Sequence, residues 1–196
     1  DADWVEVDEN ATSLSGWAGR LYINKQKGNV VFNAALGAMS PGFEANDLGY
    51  HTRGDVFNGH VQAGYRTFHP GRLFRTWTVT GSYYRNYDFG WNRVGEYIYL
   101  DGKGQFLNYW TAALHLDYEP RKYSHYLTRG GPMVYYPEGA TASLSLASDD
   151  RKPIIFRFTS MYRWHPTGGY SVSLSGGLTW KPSPNFSLSA GPSYTF

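Results

Sequence analysis

Apolar and polar side chains alternate along most of this sequence with a period of two, and helical spacing is nearly absent. From Tyr170 to Lys181 one parity reads Tyr170, Val172, Leu174, Gly176, Leu178, Trp180, and the other Ser171, Ser173, Ser175, Gly177, Thr179, Lys181. The same contrast separates Phe186, Leu188 and Ala190 from Ser187, Ser189 and Gly191, and Trp110, Ala112, Leu114, Leu116 and Tyr118 from Thr111, His115 and Asp117. Successive side chains of a strand point to opposite faces, so each segment has one apolar and one polar wall. Ten segments follow the pattern, at residues 14–24, 29–39, 55–67, 73–86, 93–101, 104–118, 140–149, 153–164, 169–181 and 185–196. The fifth is the weakest, because Val94, Glu96, Ile98 and Leu100 mix a charge into the apolar parity. Turn residues punctuate the series at Lys27-Gly28-Asn29, His69-Pro70-Gly71, Asp101-Gly102-Lys103-Gly104 and Lys181-Pro182-Ser183-Pro184-Asn185.

The connections alternate in length. Those after segments one, three, five, seven and nine are short. Those after two, four and six are longer, and residues 119–139 form the longest; the short link at 165–169 departs from the alternation. Short turns at one end and long loops at the other are the layout of a bacterial outer-membrane barrel. Most segments run to about 10–13 residues, where soluble strands have about 5–6 and a tilted membrane strand needs about 9–11. Aromatic residues collect toward the segment ends, as Tyr162 and Trp164, Tyr170 and Trp180, and Phe186 with Tyr194 and Phe196. The expected fold is all-β: an antiparallel meander forming a transmembrane β-barrel of the outer membrane, with about ten strands visible. A soluble antiparallel sandwich or barrel, acting as a binding module, also alternates and stands as the second architecture.

Composition narrows the picture. Aromatics make up 18% of the 196 residues, as much as the charged residues at 17%, which excludes disorder. The absence of Cys removes disulfides and thiolate metal sites. A net charge of +2 offers no electrostatic case for nucleic acid. Apolar runs such as Tyr97-Ile98-Tyr99-Leu100 are far short of the roughly 18 residues a membrane helix needs, a test that a barrel escapes. Residues 1–13 open with an acidic stretch lacking an initiator Met and the basic and apolar regions of a leader. They read as a linker, or as the mature start of a chain whose leader has been removed, ahead of a single barrel domain at 14–196. With the short turns facing the periplasm, ten strands leave both chain ends on the outer side, where complete barrels do not have them. The expectation is an incomplete barrel from a longer protein, with a miscounted strand as the competing explanation.

Chemistry-bearing residues fall mainly on the polar parities. Arg53, Asp55, His60, Gln62 and Arg66 share or adjoin one such parity, and His115 and Asp117 lie on another, with Arg157 and Arg163 as charge partners. They read as a polar network filling the interior or as a constriction that selects solutes by charge. Two carboxylate pairs are weighed as glycosidase acids: Asp117 and Glu119 read first as a lumenal charge ladder with Arg157 or Arg163, and Asp149-Asp150 as a salt-bridged or solvated turn beside Arg151 and Lys152. No nucleophile elbow, phosphate loop, dinucleotide fingerprint or zinc-helix histidine pair is present, so no catalytic, cofactor or metal residue is nominated.

Two loops carry more specific patterns. The first is Ser40-Pro41-Gly42-Phe43-Glu44-Ala45-Asn46-Asp47-Leu48-Gly49-Tyr50, followed by Arg53 and Asp55. The second is Leu127-Thr128-Arg129-Gly130-Gly131-Pro132, with the turn Ser148-Asp149-Asp150-Arg151-Lys152-Pro153 beyond it. In this order they resemble domain of unknown function 5916, from about Gly16 to the end of the chain. The resemblance implies a C-terminal outer-membrane β-barrel, often behind a carbohydrate-binding family-9-like domain. The implied partners are outer-membrane lipid and, through that N-terminal domain, poly- or oligosaccharide. It makes Pro41, Gly42, Phe43, Asn46, Asp47, Arg129, Gly130, Gly131 and Pro132 candidate functional loop residues. The implied role is a membrane anchor or pore for a carbohydrate-recognising protein; a membrane-associated hydrolase acting on glycans is the alternative.

Overall fold

The alternating segments form strands in the computed structural model, which describes residues 4–5, 10, 12–44, 54–124, 127–128 and 131–196. The strands are β1 (Ala18–Lys25), β2 (Val30–Met39), β3 (Val56–Thr67), β4 (Phe74–Tyr87), β5 (Arg93–Phe106), β6 (Thr111–Glu119), β7 (Lys122–Ser124), β8 (Val134–Tyr136), β9 (Gly139–Ala147), β10 (Ile154–Trp164), β11 (Tyr170–Ser183), β12 (Phe186–Ala190) and β13 (Ser193–Thr195). There is no helix among the described residues. The main sheet is an antiparallel meander in the order β1-β2-β3-β4-β5-β6-β9-β10-β11-β12, with β13 also paired to β11. β7 and β8 form a separate hairpin inside the connection from β6 to β9.

Three expectations are corrected. Asp101-Gly102-Lys103-Gly104 is not a turn but the middle of β5, paired with 77–80 of β4. A Cβ at 104 would stand 2.8 Å from the Phe74 ring, so a larger residue there displaces the ring. The turn comes at 107–110, where Tyr109 has φ 68° and Asn108 Oδ1 accepts the Trp110 N–H at 3.1 Å. The last segment is divided into β12 and β13 at Gly191-Pro192, since proline has no N–H to give the ladder and a Cβ at 191 would lie 2.5 Å from the Gly176 carbonyl oxygen. The connection at 88–92 is a tight turn, not a long loop, closed by Asp88 N donating to the Asn92 carbonyl at 3.1 Å and by Asn92 N donating to Asp88 Oδ1 at 2.7 Å.

Register carries one apolar face across the whole sheet. Leu21 faces Leu36, Ala34 faces Val61, Val61 faces Tyr83, and Tyr83 faces Ile98. Beyond these, Leu100 pairs with Leu116, Leu114 with Leu144, Phe156 with Leu178, and Trp180 with Leu188. In β3 and β6 the burial pattern is the inverse of a soluble protein's. Along β3, Val61, Ala63 and Tyr65 are exposed while His60, Gln62 and Arg66 are half-buried; along β6, Leu114, Leu116 and Tyr118 are exposed while His115 and Asp117 are half-buried. Among the described residues the buried hydrophobic side chains are Ala35, Val56, Val94 and Ile155. Among the described residues β1 pairs only with β2, and β12 and β13 only with β11, which leaves the described sheet open along two edges.

Rings border this face at both ends. At the loop end Phe57 stacks on Phe89 at 4.2 Å and on Trp91 at 5.2 Å, and Tyr170 lies 5.7 Å from Phe196. At the turn end Tyr65 meets Trp77 at 5.4 Å and Phe74 meets Phe106 at 4.7 Å.

Candidate functional site

The polar face holds a belt of side chains that crosses β1 to β6. Arg20 on β1 reaches over β2, placing Nη2 3.2 Å from His60 Nδ1 and Nη1 3.5 Å from Asn58 Oδ1. The other imidazole nitrogen, Nε2, meets Asn33 Oδ1. Asn33 Nδ2 donates to the Ile23 carbonyl, leaving Oδ1 as an acceptor. The proton therefore belongs on His60 Nε2, and Nδ1 accepts from Arg20. One step toward the turns, Gln62 Nε2 donates to Ser82 Oγ at 3.1 Å.

Rings continue the belt. His60 stacks on Tyr84 at 5.2 Å, Tyr84 meets Tyr99 edge-on at 5.6 Å, and Tyr99 stacks on His115 at 5.8 Å. His115 Nδ1 lies 2.7 Å from Asp101 Oδ1, and Nε2 lies 3.7 Å from Asp117 Oδ2. A guanidinium thus stands at one end and two carboxylates at the other. Beyond them a groove of small side chains, Thr78, Thr80, Ala113, Ser143 and Ser145, continues the face beside Lys103. Opposed charges over a polar wall orient a dipolar solute or sort ions by sign.

The other strand candidates lie elsewhere. Asp55, at φ 52°, turns to the loop end, where it accepts from Trp4 Nε1 at 3.1 Å and from the Phe89 N–H at 2.9 Å. Arg66 braces the β1–β2 turn through the Gly28 and Gln26 carbonyls and covers the Phe68 ring. Arg157 Nη1 reaches Thr179 Oγ1 at 3.4 Å on β11, and Arg163 shares its parity six residues on. Arg53 lies outside the described residues. The carboxylates weighed as glycosidase acids part company: Asp117 faces His115, whereas Glu119 pairs with Lys122, which also donates to Tyr97 Oη at 3.0 Å. No group of three or more His, Asp and Glu is placed to hold a metal ion among the described residues.

The first loop motif acts as a clasp. Ser40 Oγ accepts the Trp17 N–H at 2.9 Å, and its carbonyl accepts Phe43 N at 3.0 Å. A Cβ on Gly42 would lie 2.3 Å from the Ser15 carbonyl oxygen, so Pro41, Gly42 and Phe43 fasten the approach to β1 against the start of the β2–β3 loop. In the second motif Gly131 N donates to the Thr128 carbonyl at 3.2 Å and Thr128 Oγ1 to the Pro132 carbonyl at 2.9 Å. Asn46, Asp47, Arg129 and Gly130 lie outside the described residues. The β9–β10 turn carries the expected ion pair: Arg151 grips Asp149 with two bonds of 2.7 Å and lies 3.2 Å over the Tyr109 ring. The Arg151 bonds hold the Asp149 carboxyl well below its usual range, at about 2.

Sequence reasoning does not single out Arg20, Asn33, Tyr84, Tyr99 or Asp101, although each completes the belt. Their parity is legible in the alternation, but their neighbours are set by register.

Comparison with known proteins gives two findings. The sequence profile of the family described as Domain of unknown function (DUF5916) matches residues 2–195. The fold is similar to that of a solved porin, with a TM-score of 0.61 and 14% identity; the match covers 100% of this chain and 61% of the porin chain. No curated protein matches the sequence. The likeness to the porin is therefore one of fold, over a chain that spans less than two thirds of the porin's length.

Proposed function

The chain belongs to the DUF5916 family, and from that premise we propose that it forms the wall of an outer-membrane β-barrel serving as anchor or pore for a carbohydrate-recognising protein. The observation that carries the membrane reading is the inverted burial. Val61 and Tyr65 on β3 are 40% and 46% exposed and Leu114 and Leu116 on β6 are 42% and 36% exposed, while the polar side chains between them are half-buried, and register carries this apolar parity across the sheet. A soluble monomer seldom exposes a contiguous apolar patch above a few hundred Å², and a soluble sheet would bury this face. A bilayer solvates it, while the antiparallel ladder satisfies the backbone.

The ring rows support the same reading. Tyr170 and Trp180 of β11 bound roughly 33 Å of strand at about 3.3 Å per residue, or about 25 Å along the normal at a tilt of about 40°, the height of an outer-membrane apolar band. The two longest connections, 40–55 and 120–138, leave from the same end, which becomes the extracellular side. The open edges at β1 and β12 are filled by further strands of the full barrel, because an unpaired edge in lipid leaves several polar groups unsatisfied. The carbohydrate context rests on the family resemblance, through a sugar-binding domain ahead of the barrel.

Fractionation of cells expressing the full-length protein tests the proposal, with detergent extraction and single-channel recording after reconstitution. The expected result is an outer-membrane protein whose folded form resists detergent unfolding. Discrete current steps identify a pore, and a silent bilayer identifies an anchor. Recovery as a soluble, monodisperse protein without detergent overturns the membrane reading.

A further inference from the structure

A cluster of charges breaks the apolar face near its loop end. Arg85 on β4 and Glu96 on β5 face each other in register, on the parity that carries Tyr83 and Ile98. The carboxylate is engaged by other groups: Tyr83 Oη donates to Oε1 at 2.6 Å and Arg93 Nη1 to Oε2 at 2.7 Å. Arg85 lies 5.0 Å from the centroid of the Tyr87 ring, and its buried Nε has no hydrogen-bond partner. Arg93 thus pairs with the carboxylate, while Arg85 only faces it across the two strands, both on the side of the sheet that the bilayer covers.

A net positive charge on a lipid-facing wall is costly unless an anion meets it. Arg85 stands two residues in from Tyr87, at the ring row that marks the interface. Its side chain reaches toward the headgroups along that ring. Arginine's planar fork matches phosphate oxygens in pairs. We propose that Arg85 and Arg93 form a binding site for the phosphate of an anionic lipid in the outer leaflet, the phosphate competing with Glu96 for Arg93. The inference rests on the membrane reading above and adds to it a lipid preference at one position on the wall.

The test uses the full chain, folded and inserted into phosphatidylcholine vesicles with or without phosphatidylglycerol, then released in mild detergent and weighed intact by native mass spectrometry. Wild type is expected to retain a phosphatidylglycerol adduct in preference to phosphatidylcholine. Arg85→Gln and Arg93→Gln each lower that preference about fivefold, as loss of one basic contact at a charged headgroup implies. Glu96→Gln moves it the other way, because it removes the competing carboxylate, and so it keeps the proposal exposed if an arginine variant does not fold. Equal adducts for wild type and the arginine variants overturn the site, as does a Glu96→Gln variant with no gain. Displacement of the adduct by millimolar inorganic phosphate overturns the lipid as its occupant. A chain that never inserts refutes the membrane reading itself; one that inserts without lipid preference refutes only this site.

Discussion

Placing a single arginine on either face of the sheet separates the membrane wall from a soluble sheet by energy alone. Leu114 is the informative position. It lies on the apolar parity of β6, four residues from Trp110 and four from Tyr118, and pairs with Gly102 and Leu144. At about 3.3 Å per residue each ring is about 13 Å away along the strand, or about 10 Å along the normal at a tilt of about 40°. Leu114 is thus close to mid-bilayer, where an outward arginine costs about 2–4 kcal/mol. That changes the folded-to-unfolded ratio roughly 30- to 700-fold. In water the same Leu114→Arg replacement, at a side chain already 42% exposed, costs no more than about 0.5 kcal/mol. Ser143→Arg is the control, since Ser143 faces His115 on the polar side of β9 and gives the new cation water and the nearby carboxylates. Equilibrium unfolding in denaturant from phospholipid vesicles, followed by tryptophan fluorescence, measures both variants. Leu114→Arg is expected to lower the unfolding free energy by the full membrane cost and Ser143→Arg by less than about 1 kcal/mol. Equal losses, or a larger loss for Ser143→Arg, refute the assignment of faces.

Five further substitutions probe the loops, the turns and the belt. Gly42→Ala brings a Cβ to 2.3 Å from the Ser15 carbonyl oxygen, and thermal unfolding in detergent should show it less stable by about 1–3 kcal/mol, whereas Gly169→Ala, with open space around it, should leave the unfolding midpoint near that of wild type. Asp55→Ala removes the acceptor of the Trp4 indole and the Phe89 N–H, so emission from the loop-end tryptophans should shift to the red; an unshifted spectrum removes the contact. Asp149, held at about 2 by Arg151, contributes stability that is fully present above its ordinary value of 3.8 and is lost as pH falls toward 2. Asp149→Asn should therefore flatten the stability profile across that window, and a wild-type profile already flat there rules the contribution out. If the barrel conducts, Arg20→Gln removes the cation that faces Asp101 and Asp117 across the ring belt, and reversal potentials in a salt gradient should move toward cation selectivity.

What could be read from the sequence, and what could not, divides along a physical line. Faces are local: whether Leu174 and Ser173 lie on opposite walls depends only on the two-residue repeat, and the alternation alone reveals it. Neighbours are non-local, because register is set by turns and close approaches that the repeat does not contain. Asp101-Gly102-Lys103-Gly104 has the residues of a turn, yet Gly104 lies in β5 against the Phe74 ring, while the actual reversal uses a tyrosine at positive φ that no turn rule nominates. The belt from Arg20 to Asp117 and the Arg85–Glu96 opposition are both products of register. In the sequence Glu96 is only a flaw in an apolar parity; once β4 lies beside β5 it pairs with Arg93, accepts from Tyr83 and faces Arg85. The loop motifs divide the same way. Ser40-Pro41-Gly42-Phe43 is conspicuous in the sequence, but the reason for its glycine, the Ser15 backbone 27 residues earlier in the chain, appears only when β1 and β2 are paired. Chemistry on such a wall is therefore a property of adjacent strands, and the substitutions that test it must be chosen as cross-strand pairs and not as sequence motifs.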